Sequence, residues 1–173
     1  MDETKMTDPI PDQNRTEVNR RSERELVITR TFNGPAQLVF EAWTKPELLM
    51  RWWAPKSFGI TFLSCEADVR TGGSYRFVFG HPASDQPMAF FGRYIEVTPP
   101  TRIVWTNEEG EEGSVTTVTF TERDGKTHLV LSDRYPSKGA LDAAIESGSQ
   151  GAYPEQFEAL DALLSALRAE AVG

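Results

Sequence analysis

Residues 51–79 read RWWAPKSFGITFLSCEADVRTGGSYRFVF. Trp52 and Trp53 close a short helical pattern, which Pro55 stops. A strand-like run, Phe58–Ala67, leads into Asp68-Val69-Arg70-Thr71-Gly72-Gly73, and a second, aromatic strand follows over Ser74–Phe79. Helix, strand, glycine turn and strand in this order make one wall of a small-molecule pocket.

Upstream, ELVITRTF from Glu25 alternates well enough for a first strand and ends at Asn33-Gly34. Pro35 suits a first helical turn, where its missing N–H would be unpaired anyway. Leu38, Val39, Ala42 and Trp43 then recur at helical spacing. Thr44-Lys45-Pro46-Glu47 has the sequence of a capping box for a second short helix through Leu48, Leu49 and Trp52. Residues 1–24 carry charges of both signs and few large apolar groups, so they read as a disordered polar tail ahead of one domain spanning 25–173.

Downstream, strands follow one another. Gly80–Pro87 reads as a loop, Met88–Val97 as a strand, and Pro99-Pro100 as a turn. Arg102–Asn107 is the next strand, and Glu108–Gly113 is an acidic loop whose charges suit solvent better than a cation. Ser114–Arg123 and Lys126–Tyr135 flank Asp124-Gly125, a strong two-residue hairpin signal. That turn sets Phe120 opposite Leu129 and Val118 opposite Leu131 on one apolar face. Ser137 caps a short helix that ends at Gly148. The longest helix begins near Gly151, with Phe157, Leu160, Leu164 and Leu167 on one stripe.

One amphipathic helix and one apolar sheet face must bury each other. The expected class is therefore α+β. A curved antiparallel sheet of about seven strands wraps around the long C-terminal helix, with two short helices after the first strand.

The formal net charge of −8 argues against nucleic acid and against an anionic membrane surface. A single cysteine, Cys65, excludes an internal disulfide framework and fits a reducing cytoplasm. No apolar run is long enough for a spanning helix or a signal core.

Several stretches together resemble a known family. They are Phe32-Asn33-Gly34-Pro35, Val39-Phe40-Glu41-Ala42-Trp43, Thr44-Lys45-Pro46-Glu47, Arg51-Trp52-Trp53-Ala54-Pro55 and Asp68–Gly73. Gly92-Arg93-Tyr94, Pro99-Pro100-Thr101-Arg102-Ile103-Val104 and Gly148…Gly151-Ala152 continue the series. Over residues 25–168 the chain resembles the START-like (SRPBCC, helix-grip) superfamily, in the branch named for the activator of a heat-shock chaperone ATPase. Ala54 and Ser149 depart from the glycine and methionine common there. The resemblance implies a cavity between sheet and long helix holding a hydrophobic guest.

Alternation along the strands selects the lining of such a cavity. Tyr75, Phe77 and Phe79 come from one strand and Trp105 from another, with Leu129, Leu131, Phe157 and Leu160 as aliphatic and helix-side partners. Trp52 or Trp53 stands at the mouth. Indole N–H groups and the Tyr75 and Tyr94 hydroxyls orient any polar group on the guest.

No catalytic set accompanies this lining. His81 and His128 lack a nucleophile or carboxylate at a meaningful spacing, and Cys65 reads as a small buried hydrophobe. Asp68 and Arg70 read as a hydrogen-bonded pair fixing the Gly72-Gly73 turn. Neither a metal nor a cofactor is implied.

The expected function is non-enzymatic binding of a small hydrophobic or aromatic molecule in the cytoplasm, in stress response or detoxification, by a monomer or weak homodimer. A chaperone-associated interaction module is the alternative. A cyclase- or hydrolase-like enzyme is a third reading.

Overall fold

A computed structural model describes residues 15–54, 59–108 and 113–172. Its strands are β1 (Glu17–Arg20), β2 (Glu25–Phe32), β3 (Thr61–Ala67), β4 (Ser74–His81), β5 (Ser84–Thr98), β6 (Arg102–Thr106), β7 (Val115–Arg123) and β8 (Lys126–Arg134). The helices are α1 (Ala36–Thr44), α2 (Pro46–Trp52), α3 (Lys138–Ser147) and α4 (Tyr153–Val172). A 3-10 turn over Ser149–Ala152 joins the last two. The eight strands form one antiparallel sheet in the order β1-β2-β8-β7-β6-β5-β4-β3. The fold is the α+β helix-grip expected from the sequence.

The Asp124-Gly125 hairpin sets the register as read. Both residues have positive φ, Phe120 pairs Leu129, and Val118 pairs Leu131. All four of those side chains are buried. Ser137 caps α3 by accepting the Ala140 N–H at 3.1 Å, and Gly148 ends it at φ 78° in the left-handed region. In α4, Phe157, Leu160, Leu163 and Leu164 form the buried stripe, which packs on α1, α2 and β2. Each such side chain contributes about 1.5–3 kcal/mol of hydrophobic stabilisation.

Four local readings are corrected. Within the expected tail, Glu17–Arg20 is an edge strand paired with Leu26–Thr29, and Val18 packs on the core. Backbone pairing to an open neighbour makes this strand, which its own composition does not announce. Thr44 does not cap α2. It is the last residue of α1, and its hydroxyl donates back to the Phe40 carbonyl at 3.0 Å. Lys45 occupies the α2 cap without a side-chain bond, and Pro46 starts that helix.

Most of Gly80–Pro87 is strand, because β4 and β5 meet in a tight hairpin with His81 opposite Ser84. Pro87 is tolerated since this part of β5 pairs only with β4, leaving its other edge unpaired. β3 begins at Thr61 rather than Phe58. Residues 1–14, Pro55–Phe58 and most of the acidic loop (109–112) lie outside the described residues.

Two glycines mark close backbone approaches. A Cβ on Gly73 would stand 1.9 Å from the Asp68 carbonyl oxygen, and one on Gly92 would stand 2.0 Å from that of Thr106. Around the first, Gly72 N–H donates to Tyr94 O at 2.9 Å and Gly73 N–H to Arg70 O at 2.8 Å. The turn after β3 is thereby stitched to β5 through its backbone. The Arg70–Asp68 pair forms at 2.9 Å, but both side chains are exposed.

Candidate functional site

The core is dominated by aromatic contacts at the junction of α1 and α2. The Trp43 ring meets Trp52 at 4.8 Å, Trp53 at 5.6 Å and Trp105 at 6.0 Å between centroids. Trp53 in turn reaches Phe77 at 5.8 Å. Beside these rings lies a cavity of about 50 Å³ lined by Trp43, Leu49, Trp53, Tyr75, Phe77, Phe90, Tyr94, Trp105 and Asn107.

Strand alternation supplies one side of it. Tyr75 and Phe77 from β4 and Tyr94 from β5 share the buried face with Trp105 of β6, which pairs directly with Tyr94. Gly92 lies opposite Tyr75 in the ladder, and its missing side chain lets the Thr106 backbone approach. The other side comes from the end of α1, from α2, and from Trp53 just beyond it. The Trp53 carbonyl accepts a hydrogen bond from Gln156 of α4.

Of the residues selected from the sequence, Trp53, Tyr75, Phe77, Tyr94 and Trp105 come together on this wall. Trp52, Phe79, Leu129, Leu131, Phe157 and Leu160 do not. They are buried in the surrounding core. Trp52 is locked there by its indole N–H, which donates to the Ala42 carbonyl at 2.9 Å. The cavity therefore lies between the sheet and the α1–α2 junction, and α4 contributes none of its lining. The stripe of α4 packs on the core: Phe157 meets Phe32 at 5.4 Å and Trp43 at 6.2 Å.

Trp43, Leu49, Phe90 and Asn107 were not among the sequence candidates. Helical spacing marked Trp43 and Leu49 as apolar without separating core from lining. Phe90 shares the Phe77 side of the ladder by direct pairing, so alternation through the β4–β5 hairpin identifies it once the register is known. No local signal singles out Asn107.

The polar end of the cavity continues into a buried network. The Tyr75 hydroxyl donates to Thr106 O at 2.7 Å and to Asn107 Oδ1 at 3.3 Å. Asn107 Nδ2 donates at 3.0 Å to Ser114 O, Ser114 Oγ and Thr116 Oγ1. Thr116 donates to Asp133 Oδ1, and Tyr153 at the start of α4 donates to Asp133 Oδ2 at 3.2 Å.

Burial raises the Asp133 carboxyl above the usual range, although both hydroxyls favour its charged form. Burial and the facing Asp133 push the Tyr135 phenol up to about 12. Tyr153 is raised well above its ordinary value by burial first and then by Asp133. On the cavity wall, burial again raises Tyr94, with the charges of Cys65 and Asp68 adding to the effect.

The remaining reactive types stay apart. The Cys65 thiol is pushed up to about 11 by burial and by Glu47, which opposes a reactive thiolate. His81 accepts the Ala83 N–H at 2.9 Å in the β4–β5 turn, and His128 bonds Thr31 at 3.1 Å on β8. Among the described residues, no cluster of three or more His, Cys, Asp or Glu is arranged for a metal, and no helix is long and apolar enough to cross a membrane. The arrangement offers flat apolar surface with a few neutral polar groups.

The family model described as Activator of Hsp90 ATPase homolog 1-like protein matches residues 33–165. A crystal structure from Rhodobacter sphaeroides is 25% identical, covering 88% of this chain and 99% of its own, with a TM-score of 0.81. Protein Ms6760 from Mycobacterium smegmatis is also 25% identical, covering 88% and 98% respectively, with a TM-score of 0.74. The AHSA1-like protein from Aeromonas hydrophila shares the fold at 20% identity, covering 79% and 92%, with a TM-score of 0.64. No curated protein shows significant similarity to the chain. With most of its length matched by the family model, the chain belongs to the Activator of Hsp90 ATPase homolog 1-like family.

Proposed function

We propose that this protein binds a small hydrophobic, aromatic molecule without transforming it, in the cavity between the α1–α2 junction and the sheet. The carrying observation is the wall itself: seven of its nine residues are aromatic, and none bears a formal charge. Such a lining favours flat neutral guests and penalises ions, whose desolvation it cannot repay. At about 50 Å³ the cavity is smaller than the roughly 150 Å³ of an engineered cavity that takes up benzene. Entry of a guest therefore requires a lining side chain to swing aside. Phe90 is 40% exposed and Trp53 is half-buried, which makes these two the gate. The single free thiol fits a reducing compartment, and we place the binding in the cytoplasm, in detoxification or stress response.

The test is a titration with a panel of neutral aromatic compounds, followed by amide shifts, on the wild type and on Leu49→Phe, which fills the cavity from α2. Shifts at Phe77, Tyr94 and Trp105 that vanish in the filled variant are expected. Binding that persists unchanged in Leu49→Phe would remove the cavity from the account.

A second reading, a protein-interaction module acting on a chaperone ATPase, is favoured by the exposed Leu63, Phe91 and Ile95 and by the family's description. Co-elution with an Hsp90-type chaperone, together with altered ATP turnover, would support it. Unchanged turnover with no co-elution would dismiss it.

A further inference from the structure

Phe90 both lines the cavity and is 40% exposed, so its ring stands where the cavity meets solvent. Beyond Phe90 the same face of the sheet stays apolar. The ladder sets Cys65, Phe77 and Phe90 in one row across β3, β4 and β5, and Phe62, Phe79 and Met88 in the next. Directly opposed residues share a face, so the second row continues the cavity wall toward the β4–β5 hairpin. It lies two residues farther along each of β4 and β5, roughly 7 Å. Phe62 meets Phe77 at 5.5 Å and Phe79 at 4.5 Å, and Phe79 meets Phe90 at 5.3 Å, so ring contacts run from the cavity onto this row. Met88 at its end is 40% exposed. Apolar surface exposed in continuity with a cavity marks a ligand groove, which apolar side chains exposed singly do not. Phe91 is no part of it, since it pairs with Arg76 on the opposite face of the sheet.

We infer that the guest is elongated, an uncharged aromatic ring carrying a short unbranched alkyl chain, with the ring in the cavity and the chain laid along Phe62, Phe79 and Met88. This rests on the binding reading above and specifies the shape of the guest. A cavity of about 50 Å³ cannot enclose a whole ring without displacing Phe90, so whatever enters continues past that side chain. The apolar surface it then meets is the Met88 row. Along that row the rings of Phe62 and Phe79 are tilted by 45°, and those of Phe79 and Phe90 by 57°. They leave no parallel slot for a second flat ring, and the flexible Met88 side chain moulds itself to a chain.

Para-cresol, para-ethylphenol and para-butylphenol share one ring, are uncharged at neutral pH and differ in chain length alone. The full chain is titrated with each, and amide signals are followed in proton–nitrogen correlation spectra. Affinity is expected to rise about twofold per added methylene, which is half the transfer free energy of a fully buried one because one side of the chain stays in water. Shifts at Phe79 and Met88 are expected to grow with chain length. Met88→Asp sets a charge on the row at an exposed position. It is expected to bind para-cresol as the wild type does and to lose the gain from the longer chains. If that variant does not fold, the wild-type spectra decide: chain-dependent shifts at Phe79 and Met88 support the inference, and chain-dependent shifts at Phe91 instead overturn it.

Affinity independent of chain length, or a gain that survives in Met88→Asp, would overturn the inference while leaving aromatic binding intact. Failure of all three compounds to bind would overturn the binding reading and this inference together.

Discussion

Trp43 and Trp52 meet edge to face with centroids 4.8 Å apart, yet only Trp52 has its indole N–H satisfied. The pair marks the boundary between packed core and cavity wall. Trp52 anchors α2 to α1, whereas Trp43 turns one side of its ring system toward the open space. The adjacent Trp53 covers that space from the end of α2.

This division sets a stability difference between adjacent tryptophans. Trp52→Ala removes a fully buried ring and a hydrogen bond, and is expected to cost about 3–5 kcal/mol. Trp53→Ala is expected to cost less, because its side chain is already bordered by open volume and partly exposed. Urea denaturation of both variants checks this, and equal losses would contradict the assignment of Trp52 to core and Trp53 to wall.

The glycine turn after β3 provides a second contrast. Gly73→Ala places a methyl group against the Asp68 carbonyl and is expected to cost about 3 kcal/mol or more, since backbone atoms must shift. Gly72→Ala meets nothing within 4 Å and suffers only from its φ of 90°, a cost of about 1–2 kcal/mol. Arg70→Ala removes only an exposed ion pair and is expected to change stability by less than about 1 kcal/mol. Thermal denaturation of the three variants orders them. An Arg70 variant as damaging as Gly73→Ala would show that the ion pair, not the backbone, fixes this turn.

The buried carboxyl gives a signed pH dependence. The folded-state pKa of Asp133 is raised, so its contribution to stability is fully present below the ordinary carboxyl range near 4 and is lost as pH rises through the folded value. Asp133→Asn abolishes this titration. The melting temperature of the variant relative to wild type is therefore expected to increase from acid toward neutral pH. A difference that stays flat, or that falls, would show that the Thr116 and Tyr153 hydrogen bonds outweigh burial.

The same variant reports on Tyr135. Burial is the first cause of its rise to about 12, and Asp133 is the second. Removing the carboxylate is expected to lower the phenol's midpoint only part of the way toward its ordinary value near 10. Ultraviolet titration of the tyrosines resolves this shift, and an unchanged midpoint would mean that the Asp133 charge does not reach that ring.

Much of the fold was legible because local chemistry and tertiary packing agree. Asp124-Gly125 fixes the register of β7 and β8, and the apolar stripe of α4 has no other surface to cover. Glu17–Arg20 escaped because its strand character comes from pairing with β2 rather than from alternation. The capping reading failed at Thr44 because α1 extends through it and recruits its hydroxyl.

Part of the candidate wall was visible in the sequence: alternation marks Tyr75, Phe77 and Trp105, and the Tyr94 hydroxyl marks that residue. The displacement of the cavity toward α1–α2 was not. It depends on how closely Phe157 and Leu160 of α4 fit against the core, a packing result that no single stretch of sequence encodes. Asn107 belongs to the site because Thr106 and Gly92 approach each other across two strands, and that contact lies outside any sequence pattern.

The most direct measurement of the central claim is an isotope-filtered nuclear Overhauser experiment on the protein bound to a neutral aromatic guest. Contacts from guest protons to the side chains of Phe77, Tyr94 and Trp105 are expected, with Phe90 and Trp53 shifted from their free positions. Contacts confined to the exposed Phe91 and Ile95, with the cavity side chains unperturbed, would contradict it.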